Sequence, residues 1–211
     1  MQKPLVSEEG KYLGDSIFVD GQLVRIVIRD STMCIDSMVF ERDKSYKNHL
    51  KSFQTYMNGK RVFENISYYK NGNPEQYWFI GDANKESFYR IKYDRSGNII
   101  NAEGRLFFQG YVDKIDPQTL EVKDDGKRME IKVFHPKPPK CTASLFVRMD
   151  DDKLYDVFQP NEHIPFLKQV WVDTRVGNKP WSEIDIWFEV QPDGIDTVFR
   201  YNKPLFFKVV Q

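Results

Sequence analysis

Six tight-turn signals punctuate the chain from end to end: Val19-Asp20-Gly21, Met57-Asn58-Gly59, Lys70-Asn71-Gly72, Arg95-Ser96-Gly97, Asp124-Asp125-Gly126 and Pro192-Asp193-Gly194. Asn-Gly and Asp-Gly pairs tolerate the positive φ angles of two-residue hairpin loops, so each signal predicts a reversal between antiparallel strands. The segments between them have strand character. Val24, Ile26 and Ile28 alternate with Arg25 and Arg29, the period of a strand with one buried face. Met33 to Phe40 alternates in the same way, and the polar stretch from Arg42 to Asn48 reads as a loop or a short helical turn. A chain built like this folds as hairpins.

Composition supports the same class and narrows the rest. Aromatic residues make up 15% of the chain, with 16 Phe, 11 Tyr and 4 Trp, and such side chains suit a half-buried pleated surface. At 211 residues there is room for two domains of about 100 residues each. The 31 basic and 31 acidic side chains cancel, which gives no support to nucleic-acid binding. No run approaches the ~18 apolar residues of a membrane-spanning helix, and no signal peptide opens the chain. The start, Met1-Gln2-Lys3-Pro4, fits an intracellular protein or a mature exported one whose signal or lipid anchor lay upstream. Cys34 and Cys141 lie far apart, which leaves an inter-domain disulfide open and favours two buried free thiols.

From Phe53 onward the turns become regular. Tyr56-Met57-Asn58-Gly59-Lys60 is followed thirteen residues later by Tyr69-Lys70-Asn71-Gly72-Asn73, and Tyr93-Asp94-Arg95-Ser96-Gly97-Asn98 comes about two such steps on. Gly81-Asp82-Ala83-Asn84 supplies the intermediate turn, and Gly110 lies thirteen residues beyond Gly97. On these residues, roughly 53 to 110 and about a quarter of the chain, the sequence resembles the bacterial MORN-type hairpin repeats. It lacks the Gly-x-Trp element often found between such turns. The resemblance implies an N-terminal antiparallel hairpin-repeat sheet of the kind found in envelope lipoproteins and antitoxin-like proteins, with no catalytic residues to carry over.

The polar stretch from Asp113 to Lys127 reads as the boundary between domains 1–125 and 126–211. Seven short strand candidates follow: Met129–Phe134, Ala143–Met149, Leu154–Phe158, Phe166–Thr174, Ile184–Val190, Asp196–Tyr201 and Leu205–Val210. Their spacing predicts an immunoglobulin-like or fibronectin-like β-sandwich, with Trp171 in a central strand. The fold class is therefore all-β, a hairpin-repeat sheet followed by a sandwich.

No catalytic constellation emerges. Gly14-Asp15-Ser16-Ile17 matches a GDS-type esterase only superficially, because polar residues precede it and the late His163 has Pro160 three residues before it. It reads as a turn entering the first strand. His49, His135 and His163 lack metal-ligand spacing, and neither metal nor cofactor is expected. Asp150-Asp151-Asp152 reads as a solvated hairpin tip, and Glu183 and Asp185 as the outward face of a strand. The Pro-x-x-Pro element at Pro136–Pro139 reads as the kink before an edge strand.

The best candidate surface is the aromatic cluster Tyr68, Tyr69, Tyr77, Trp78, Phe79, Tyr89 and Tyr93, beside Asn71, Asn73 and Gln76. Within it Tyr69, Tyr77, Trp78, Tyr89 and Tyr93 are the expected binding residues, stacking on sugars or a protein partner. The expectation is a non-catalytic binding or scaffolding protein of a bacterial envelope that recognises a protein or glycan. The alternative is a cytoplasmic antitoxin or immunity-type protein.

Overall fold

A computed structural model describes residues 1–6, 12–29, 35–47, 49–81, 88–112, 121–123, 129–148, 154–155, 159–160, 167–172, 175–176, 179–180, 183–194, 196–206 and 208–210. Strands run throughout, and no α-helix occurs among those residues. Two compact units, residues 1–105 and 106–211, divide the chain.

In the first unit the strands follow one another across a single nine-stranded sheet. They are β1 (Gln2–Val6), β2 (Tyr12–Val19), β3 (Gln22–Ile28), β4 (Ser37–Arg42), β5 (Leu50–Met57), β6 (Lys60–Tyr68), β7 (Pro74–Ile80), β8 (Phe88–Tyr93) and β9 (Ile99–Gly104). Each pairs antiparallel with the next, so the expected antiparallel hairpin sheet is what forms. One short 3-10 turn, Lys44–Tyr46, interrupts the connection between β4 and β5, with the Asp43 carboxylate accepting from Ser45 N–H.

The turn signals resolve into two loop types. Asp20-Gly21 and Asn58-Gly59 have positive φ at both positions and close Val19 on Gln22 and Met57 on Lys60, as two-residue loops should. At Gly72 and Gly97 the loop is one residue longer. Gly72 N–H donates to the Tyr69 carbonyl at 2.9 Å and Tyr69 N–H to the Asn73 carbonyl at 2.8 Å; Asp94, Gly97 and Asn98 repeat the pattern at 3.0 and 2.9 Å. In the second of these loops Asp94 Oδ1 accepts from Ser96 N–H and Asn98 N–H, which braces the reversal around the left-handed glycine Gly97. Asp193-Gly194 opens a longer connection, since the next strand begins at Phe199. Asp125-Gly126 and residues 82–84 of the intermediate turn lie outside the described residues. Gly110 is no turn at all. It pairs with Val133 in a strand of the second unit.

Register separates the two faces of the sheet. Phe40, Phe53, Ile66, Tyr77 and Ile91 stand opposite one another in a row across β4 to β8, and Phe53, Tyr77 and Ile91 are buried. The row on the other face is polar: Glu41, Ser52, Ser67, Gln76, Lys92 and Asn101. Period-two alternation thus sends apolar and polar rows to opposite sides.

One irregularity sits in the middle of this order. Between the pairs Gln54–Asn65 and Tyr56–Arg61, β5 contributes only Thr55 while β6 contributes Val62, Phe63 and Glu64. Phe63 takes φ of +49° and is fully buried, a conformation that a bulky side chain adopts only under constraint. The constraint is visible. Thr55 Oγ1 donates to the Glu64 carbonyl at 2.9 Å, and Asn65 Nδ2 donates to the carbonyls of Val62 and Phe63 at 3.2 and 3.0 Å. Asn65→Ala strips two buried carbonyls of that donor and is expected to destabilise the protein by about 1–3 kcal/mol. Urea denaturation checks this, with the expected drop in midpoint at unchanged slope.

The second unit holds β10 (Gln109–Val112), β11 (Glu121–Lys123), β12 (Met129–Phe134), β13 (Cys141–Arg148), β14 (Leu154–Tyr155), β15 (Gln159–Pro160), β16 (Leu167–Val172), β17 (Arg175–Val176), β18 (Lys179–Pro180), β19 (Glu183–Pro192), β20 (Phe199–Phe206) and β21 (Lys208–Val210). Two four-stranded antiparallel sheets form, β10-β12-β16-β15 and β14-β13-β19-β20. The first takes in β10, upstream of the turn-rich stretch at 113–127. β17 and β18 form an antiparallel pair, and β11 and β21 a parallel one. Ile131, Val133 and Phe134 on one sheet and Leu145, Ile186, Phe188 and Val190 on the other are buried. The backbone of Trp171 lies in β16, opposite Glu130 of β12. Cys141 carries a free thiol, pushed up to about 12 by burial and, secondarily, by the charge of Asp193. Cys34 lies outside the described residues.

Candidate functional site

Two hairpin loops of the first unit are tied side by side. Tyr69 Oη donates to the Tyr93 carbonyl at 2.9 Å, while Asn71 Nδ2 and Asn73 Nδ2 both donate to the Arg95 carbonyl at 2.7 and 2.8 Å. The 3-10 turn joins them from β4. His49 N–H donates to the Tyr46 carbonyl, and the His49 ring lies over Gly72, where an added Cβ would stand 2.6 Å from Nδ1. A side chain at Gly72 would have to displace that imidazole and would strain the left-handed φ of +89° that the turn requires.

These contacts frame an open groove of about 520 Å³ lined by Tyr46, Tyr68, Tyr69, Lys70, Asn71, Glu75 and Arg95. The three tyrosines are half-buried, and Lys70, Asn71 and Arg95 are exposed. Rings of this kind offer an apolar body with a polar tip. Burial, aided by the charge of Glu64, pushes the Tyr68 phenol above its ordinary value, so it stays a protonated donor at neutral pH. Lys70 and Arg95 supply cations, and Glu75 a carboxylate that already accepts from Ser67 Oγ.

The structure divides the expected aromatic cluster. Tyr68 and Tyr69 reach the groove, and Trp78 lies half-exposed elsewhere on the sheet. Tyr77, Tyr89 and Tyr93, expected at the surface, are buried instead. They are 0%, 9% and 1% exposed, because register places Tyr77 and Tyr89 on the buried face with Ile91 and Phe79, and Tyr93 joins them in the core. Tyr77 Oη donates instead to the buried Glu64 carboxylate at 3.2 Å. Tyr46 and Glu75 carry no signal in the sequence for this groove, and Lys70 and Arg95 stand in it only as turn residues. The two cations are equivalent, each the first residue of its three-residue loop, which is the one sequence signal that they share a surface.

The other sequence candidates find plain positions. Gly14, Asp15 and Ser16 are buried inside β2, not in a turn before it, and a Cβ at Gly14 would stand 1.9 Å from the Val27 carbonyl of the neighbouring strand. Close strand approach, not a nucleophile turn, explains that glycine. His49 is exposed and His135 is buried against Phe188, with ring centroids 5.3 Å apart. His163 and Asp150–Asp152 lie outside the described residues, as do the side chains of Glu183 and Asp185. Among the described residues no three His, Cys, Asp or Glu side chains converge to hold a metal, and no helix is long and apolar enough to cross a membrane. No family model matches the chain, and neither a curated protein nor a solved structure matches it.

Two outcomes test this geometry. Tyr77→Ala empties a buried ring position and is expected to cost about 3–5 kcal/mol of stability, read by chemical denaturation. Asp94, held below its ordinary value of 3.8 first by the Asn98 backbone N–H and then by the Asn98 amide, gives a pH signature. A depressed folded value favours the charged form, so its contribution is complete above about 3.8 and is lost as pH falls through the lower folded value. The amide resonances of Ser96 and Asn98 should therefore hold steady from pH 7 to 5 and shift only below about pH 4.

Proposed function

We propose that this is a non-catalytic binding protein of a bacterial cell envelope whose hairpin sheet holds a glycan in the tyrosine groove. The observation that carries the reading is the groove itself: three half-buried phenol rings beside an amide, two cations and a carboxylate, on loops locked together by hydrogen bonds. Sugar rings present apolar faces and hydroxyl edges, and this lining offers stacking surfaces and both donors and acceptors. Rigid loops lower the ordering cost of binding.

The regular turns and their resemblance to MORN-type repeats support the envelope setting and a recognition role. Two four-stranded sheets with buried apolar residues support reading the second unit as an immunoglobulin-like module.

Calorimetric titration against cello-, chito- and uronate-containing oligosaccharides tests the proposal. At least one should bind, and Tyr46→Ala should weaken it about tenfold, roughly 1.4 kcal/mol. Lys70→Ala should weaken uronate-containing sugars most. Absence of binding across the panel, or affinity indifferent to Tyr46→Ala, defeats the reading.

A further inference from the structure

A second surface lies toward the opposite end of β6, on the polar side of the sheet, and it has different chemistry. Trp78 stands opposite Arg90, and Ile80 opposite Phe88, across β7 and β8. The Trp78 and Phe88 rings tilt together at 5.9 Å, and the Arg90 guanidinium lies 4.6 Å over the indole. The polar periphery of this cluster is already engaged. Trp78 Nε1 donates to Gln76 Oε1 at 3.2 Å, and Arg90 is ion-paired with Glu103 on β9.

What remains available is an open groove of about 350 Å³ lined by Trp78, Ile80, Phe88, Lys60 and Arg61. Its floor is apolar and half-exposed. Its two cations are exposed, and neither makes an ion pair or side-chain hydrogen bond among the described residues. No carboxylate, amide or hydroxyl is among the described residues lining it. Excess positive charge beside exposed aromatic surface selects a ligand with the complementary pair of features: an apolar anchor flanked by negative charge.

We propose that this groove docks an acidic peptide segment of a protein partner. An apolar side chain of the segment seats against Trp78, Ile80 and Phe88, and its flanking carboxylates meet Lys60 and Arg61. A sugar would find too few hydrogen-bonding groups there, and a nucleic acid would need a longer run of cations than two. The assignment is independent of the glycan reading, because no residue is shared between the two grooves.

The test uses the full chain and a fluorescein-labelled peptide, Asp-Glu-Leu-Phe-Glu-Asp, followed by fluorescence anisotropy at 50 and 300 mM NaCl. The control peptide carries Lys at the acidic positions. The acidic peptide should bind more tightly than the control and weaken with salt. Lys60→Glu with Arg61→Glu should lower its affinity at least tenfold with the melting temperature unchanged, because both side chains are exposed. Phe88→Ser should weaken it as well, and Tyr46→Ala should leave it intact. Equal binding of the two peptides overturns the proposal, as does indifference to the double charge reversal. So does preferential binding of a sulfated oligosaccharide at Lys60 and Arg61.

Discussion

The geometry of the nine-stranded sheet depends on how β6 absorbs two more residues than its partner. A single extra residue would reverse the alternation beyond it and send every later side chain of β6 to the wrong face. Two extra residues restore the parity. Arg61 and Asn65 thus lie on one side of the strand, with Tyr56 and Gln54 opposite them. The cost is concentrated at Phe63, held in the left-handed region by hydrogen bonds from Thr55 and Asn65 to the carbonyls around it. Both grooves draw on β6, one on Lys60 and Arg61 before the bulge, the other on Tyr68 after it. The bonded bulge lies between them along the strand.

The grooves also show how the same residue classes serve opposite ends. At the loop end the Tyr69 hydroxyl donates to a backbone carbonyl, and each half-buried tyrosine ring carries a hydroxyl at its tip. Around Trp78 the polar atoms are consumed within the sheet by Gln76 and Glu103, and the surface left behind is apolar with charge at its margin. Composition alone cannot distinguish these cases. The difference lies in what each polar atom is already bonded to.

Much of the first unit was legible in the sequence because its information is local. Asn58-Gly59 and Asp20-Gly21 specify positive φ at adjacent positions, and the hairpins follow. Asn71-Gly72 and Ser96-Gly97 specify a reversal but not its length, which in the second case is decided by the Asp94 carboxylate reaching two backbone N–H groups. Adjacent aromatics such as Tyr77 and Trp78 must point opposite ways, yet which one is buried depends on a row of partners contributed by four other strands. Tyr77 falls in the apolar row and Trp78 outside it. Gly110 kept the spacing of the repeat while pairing into the second unit, because spacing records a period and says nothing about where the period stops.

Every pairing in the nine-stranded sheet joins strands that are neighbours in sequence, and no strand returns to close it. Such an arrangement lets ordering spread from a tight central hairpin toward either margin without a long loop closing first. It also makes sheet length a free variable. A hairpin gained or lost at the β1 margin leaves every other pairing in register, so the breadth of the surface can be altered there by duplication or deletion of short segments while the two grooves, built on β5 to β9 and their loops, stay where they are.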